Sequence, residues 1–99
     1  MDIQESTLVF KLDERDNFSG LNIKSDVKNF IADFRGTSVD VTTKITNKLI
    51  TFGKSISENK GSFVIVCDYL FNDELIIVPT LQEAYDYIEM EEIERQLEL

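Results

Sequence analysis

The segment Gly36-Thr37-Ser38-Val39-Asp40-Val41-Thr42-Thr43 carries four hydroxyls and opens a stretch with helical spacing. Free backbone N–H groups and the helix dipole favour negative charge at such a start. A phosphorylated Ser or Thr would be stabilised there. The same residue types are also ordinary caps: Asp40 is a plausible N-cap, with Ser38 its competitor. A second constellation is the carboxylate pair Asp33 and Asp40. It could serve acid–base work or Mg²⁺ binding, or it is simply a strand-end carboxylate and a cap.

Other chemistries lack their residues. The chain has no histidine. This removes Ser-His-Asp and Cys-His catalysis and the metallo-hydrolase sites that need imidazole. The four glycines, Gly20, Gly36, Gly53 and Gly61, are scattered and form no phosphate loop. Cys67 is the only cysteine and ends an apolar run, so it reads as a core residue; a catalytic thiolate needs a positive environment. Tyr69, Phe71, Tyr85 and Tyr87 have little basic charge near them and read as core and rim, not as a base-stacking platform. No enzyme activity, cofactor or metal is expected.

The chain's 99 residues suit one domain, residues 1–99, with a single core. A hydrophobic content of 42% argues against disorder despite a net charge of −9. That charge repels phosphate, so neither nucleic acid nor an anionic membrane is an expected partner. No apolar run approaches a membrane span. Met1-Asp2-Ile3-Gln4-Glu5 does not read as a secretory signal. A lone cysteine suits a reducing compartment, and the cytoplasm is the expected location.

The elements that must position the hydroxyl segment follow from periodicity. Thr7 to Leu12 alternates as a half-buried strand. Phe18 to Ile23 reads as a short second strand, with Ser25-Asp26 a turn or the start of one helical turn. Asn29 to Phe34 is nearly continuous in apolar residues, as a central strand should be. The central helix runs from Asp40 or Ser38 to about Glu58, with the stripe Val41, Ile45, Leu49, Phe52 and Ile56, and with Lys44 and Lys48 on the other face. Asn59-Lys60-Gly61 stops it. Ser62 to Cys67 is the strongest strand. Strand, helix and strand make a parallel βαβ unit. Leu75 to Val78 is a further buried strand, parallel or antiparallel, because Asp68–Glu74 is short for a parallel crossover.

Pro79 ends that strand. Thr80 and Glu83 then form a capping box for a last helix. Leu81, Ala84, Tyr85 and Ile88 make its stripe, which Ile93 and Leu97 continue after a phase shift at Glu89-Met90, where the helix could bend or split. Glu83, Asp86, Glu89, Glu91, Glu92, Glu94 and Glu98 face Arg95 alone, and Glu91 and Arg95 have the spacing of an i,i+4 pair. This face is a solvated surface or a dock for a basic partner.

Two stretches resemble the STAS domains of anti-sigma-factor antagonists, in particular the small Bacteroidota STAS-like proteins. One is the tail, Pro79-Thr80-Leu81-Gln82-Glu83-Ala84 followed by Met90-Glu91-Glu92-Ile93-Glu94-Arg95. The other is Asn29 to Leu49, which is similar to the family's central strand and helix. The resemblance implies an α/β fold: a mixed sheet of four to five strands, a central helix, and an acidic C-terminal helix packed on the sheet. The family's Asp-Ser-Ser/Thr-Gly motif falls on Asp40, Val41, Thr42 and Thr43. Thr42 is thereby the phosphorylation candidate, with Val41 and Thr43 departing from the pattern. The family's first helix is reduced to a turn around Ser25–Lys28, and Asp68–Glu74 stands in place of its third.

The function implied is non-enzymatic and regulatory: binding another protein, an anti-sigma factor or a kinase-like regulator, through Gly36, Thr37, Ser38, Asp40, Thr42, Thr43, Lys44 and Lys48. The alternative is a constitutive interaction or structural subunit that uses the acidic C-terminal helix. Small proteins of this kind can travel beside the gene for ribonuclease Z, but a binuclear zinc nuclease needs the histidines this chain lacks.

Overall fold

Asn29–Asp33 is buried along its whole length, as an apolar run without polar alternation requires of a strand covered on both faces. In the computed structural model, which describes residues 6–11 and 27–97, it is the second strand of a four-stranded sheet. The elements are β1 (Thr7–Phe10), β2 (Asn29–Asp33), α1 (Val39–Glu58), β3 (Phe63–Val66), β4 (Ile77–Val78) and α2 (Leu81–Leu97). The sheet order is β1-β2-β3-β4. The proposed strand Phe18–Ile23 and the turn at Ser25-Asp26 lie outside the described residues.

Every described strand pair is parallel. The expected mixed sheet is corrected to a parallel one over these residues, and the direction of β4 is decided. Ile31 pairs with Val64, and Ile65 with Ile77. The crossover from β3 to β4 has room because the ladder begins at Ile77, two residues later than the apolar run. Residues 67–76 cross without a helix. Tyr69, Phe71 and Leu75 pack into the core below them, so apolar side chains do what a crossover helix would do.

The strands' two-residue period divides the core between the faces. Phe30, Ala32 and Ile65 pack with Ile45, Leu49 and Ile56 of α1. Ile31, Val64 and Val66 point the other way and pack with Ala84 and Ile88 of α2. Each fully buried aliphatic side chain contributes about 1.5–3 kcal/mol. At the α1 face Phe52 meets Phe10, Phe30 and Phe63 edge-on, with ring centroids 6.2, 5.3 and 5.2 Å away. Cys67 is buried in the same cluster, as its apolar neighbours predict.

Both helices differ in detail from what periodicity and capping types predict. Ser38, not Asp40, caps α1: its hydroxyl accepts from Val41 N at 3.4 Å. Asp40 sits inside the first turn, where its charge faces the dipole. α2 is one unbroken helix, started by Thr80, whose hydroxyl accepts from Glu83 N at 3.1 Å. Leu81, Ala84, Tyr85 and Ile88 face the sheet. Ile93 and Leu97 do not continue that stripe; they are exposed.

At the end of α1 the left-handed residue is Lys60, with φ 62°. Gly61 is needed for a different reason: a Cβ there would collide with the carbonyl of Lys28. Gly61 N also donates to Ile56 O at 2.9 Å, closing the helix. Lys60→Gly should therefore raise stability by about 1 kcal/mol, and Gly61→Ala should lower it by about 2 kcal/mol or more. Urea denaturation of the two variants checks both signs.

Candidate functional site

The C-terminal ends of β2 and β3 open onto one edge of the sheet, the edge where parallel α/β sheets hold their ligands. β2 ends in Asp33. Arg35 curls back on it: Nε and Nη2 donate to the two carboxylate oxygens at 2.9 and 2.7 Å, and Arg35 N donates at 3.2 Å. This fork-to-fork pair is the strong geometry for arginine and carboxylate. Its hydrogen bonds hold the Asp33 carboxyl below the usual carboxylate range, against the opposing effect of burial. Asp33 is thus committed to Arg35. Among the described residues, no group of three or more acidic or cysteine side chains is placed to hold a metal.

The chain then turns sharply. Thr37 N donates to Phe34 O at 3.0 Å. Gly36 takes φ +82°, a conformation glycine adopts without steric cost. Gly36 N reaches Asp68 Oδ2 at 3.3 Å, across to the exit of β3. One residue further on, Tyr69 donates its hydroxyl proton to Thr37 O at 2.8 Å. The Tyr69 oxygen also lies 3.2 Å from Thr42 Oγ1. Tyr69 has one proton and gives it to Thr37, so in this contact Thr42 is the donor. Thr42 shares that proton with Val39 O at 3.0 Å.

Thr42, the phosphorylation candidate, is completely buried, and its hydroxyl sits beneath Tyr69. Of the other predicted site residues, Thr37 is half-buried and held through its carbonyl. Gly36, Ser38, Asp40, Thr43, Lys44 and Lys48 are exposed. Thr43, Lys44, Asn47, Lys48 and Thr51 follow helical spacing along the outer side of α1. The loop and the first turns of the helix therefore lie on one side of the molecule, with Thr42 beneath them.

Sequence reasoning missed Arg35, Asp68 and Tyr69 as the groups that brace this segment. Arg35 carried a local signal, two residues beyond a strand-end aspartate. Asp68 and Tyr69 carried none, because their partners lie 32 residues or 27 residues away in the chain. No protein-family model, curated protein or solved structure matches this chain.

Two consequences are measurable. A carboxyl with a lowered folded-state pKa contributes stability that is present above its unfolded pKa and is lost as pH falls through the lowered value. The stability advantage of wild type over Arg35→Met should accordingly be full near neutrality and vanish in acid. NMR titration should show the Asp33 pKa rising in the variant. Tyr69→Phe keeps the ring and deletes the bridge to Thr37 and Thr42. It should cost about 1 kcal/mol in denaturation and speed amide exchange around residues 37–42.

Proposed function

We propose that this chain is a non-enzymatic, regulatory protein-binding domain of the STAS type, resembling an anti-sigma-factor antagonist and working in the cytoplasm. The observation that carries the reading is the bracing of segment 36–48. Asp68 and Tyr69 tie its loop to the exit of β3, while Ser38, Asp40, Thr43, Lys44 and Lys48 remain exposed above it. A surface held in one conformation loses little conformational freedom on binding, and that favours recognition of a protein partner. Lys44 and Lys48 lie one turn apart and call for carboxylates on that partner, an anti-sigma factor or a kinase-like regulator.

The burial of Thr42 sets a condition on any phosphorylation switch. A kinase reaches the hydroxyl only after the Tyr69 bridge opens. A phosphate there cannot fit beneath Tyr69, so modification would release the loop's tie to residue 69. The switch is then steric as well as electrostatic. Neither nucleic acid nor a membrane is a proposed partner: the net charge of −9 repels phosphate, and no helix among the described residues is long and apolar enough to cross a membrane.

The reading is tested by affinity capture from a lysate of the source organism. Wild type is compared with Lys44→Glu/Lys48→Glu and with Lys28→Glu, an exposed control at the opposite end of α1 from the loop. The expected result is a partner retained by wild type and control and lost, by about tenfold or more, from the double variant. Equal recovery on all three would remove the site from α1. A second reading, a constitutive interaction through the acidic C-terminal helix, is favoured by the exposure of Ile93 and Leu97.

A further inference from the structure

The apolar stripe of α2 changes sides along the helix. At about 100° per residue, Leu81, Ala84 and Ile88 fall within about 40° of one direction, the direction of the sheet. Counted from Ile88, Ile93, Leu97 and Met90 fall at about 140°, 180° and 200°. They lie on the opposite side and are 51%, 80% and 62% exposed. In this half of the helix the inward positions are Glu91, Glu92 and Arg95, none of them fully exposed.

The inversion is clamped. Arg95 Nη1 donates to Ser62 Oγ at 3.1 Å, at the start of β3, and Nη2 pairs with Glu92 at 2.5 Å. Turning Met90, Ile93 and Leu97 inward would break both contacts and strip charged groups of their partners. The outward ridge is thus held out by a partly buried ion pair.

We infer that the ridge Met90-Ile93-Leu97 docks against a partner protein's apolar helix face flanked by lysine or arginine. This rests on the reading that the chain works by binding protein, and it adds a surface on the face of the sheet opposite α1. The spacing of three and four is that of a helix-pairing seam. Exposed Glu89 and Glu94 flank the seam on its two sides, so the complementary face is basic. A second copy does not supply that face. Symmetric pairing of two α2 helices sets Glu against Glu. The lysines of α1 border Asn47 and Thr51, which offer no apolar floor.

The probe is a synthetic amphipathic peptide with leucines along one helical face and lysines beside them. Its control is a scrambled peptide of the same composition. Binding to the full chain is followed by calorimetry and by amide shifts. Binding should weaken with salt, place its shifts in residues 86–97, and fall by about tenfold or more in Ile93→Ser/Leu97→Ser and in Glu89→Lys/Glu94→Lys. All four positions face solvent, so the fold should persist, as circular dichroism will show. Lys44→Glu/Lys48→Glu should bind as wild type does.

No binding, equal binding of the scrambled peptide, or unchanged binding by the serine variant would overturn the inference, and each leaves the surface on α1 standing. Sedimentation of the protein alone should show a monomer; self-association abolished by Ile93→Ser/Leu97→Ser would overturn it in favour of a second copy.

Discussion

Burial of β2 and β3 on both faces is the constraint on which the rest of this structure depends. Neither strand offers a polar face to water: Ile31, Ala32, Val64 and Ile65 are all completely buried. A parallel pair of this kind must be covered twice, so one helix has to lie on each side. α1 covers one face with Ile45, Leu49 and Ile56, and α2 covers the other with Ala84 and Ile88. Everything with functional interest lies at the margins of this sandwich, because its centre has no polar group to spare for chemistry.

The crossover from β3 to β4 has two roles. It lacks a helix, yet it must cover the edge of the α1-side core, and it does so with Tyr69, Phe71 and Leu75. Tyr69 is amphipathic: its ring packs against Phe71 at 6.1 Å between centroids, and its hydroxyl reaches the loop that enters α1. Packing and positioning thus meet in one side chain. Asp33 and Arg35 complete the bracing from the other side of the turn. A loop built this way is held in one conformation and presents a fixed surface.

α2 balances two demands in one helix. Its first half buries an apolar stripe. Its second half reaches the start of β3, where Ser62 is held by Asn29: Oδ1 of Asn29 accepts from Ser62 N at 3.0 Å. Arg95 joins this polar corner through the Ser62 hydroxyl. The helix therefore presents charge inward and hydrocarbon outward where a solvated helix would do the reverse. The acidic and basic residues are also segregated, with lysines outward on α1 and carboxylates along α2, so the two faces of the sheet differ in charge.

What the sequence determined by itself was local. Period-two and unbroken apolar runs placed β2, β3 and the βαβ unit. The spacing of Ile45, Leu49 and Ile56 placed α1, and Thr80 with Glu83 placed the start of α2, because caps and periodicity act within one or two turns. Asp40 and Ser38 compete as the cap in sequence because both types accept from the same N–H groups, and only the backbone path chooses between them. The phase shift at Glu89-Met90 was visible, but not its meaning. Spacing alone pairs Arg95 with Glu91, whereas the fold turns it toward Glu92 and Ser62. The outward turn of Ile93 and Leu97 follows from helical spacing once α2 is unbroken, whereas tertiary structure alone decided the parallel direction of β4 and the burial of Thr42 under Tyr69. Each of these last two depends on groups distant in the chain whose side chains meet only after the sheet has formed, and no spacing within one element encodes such a meeting.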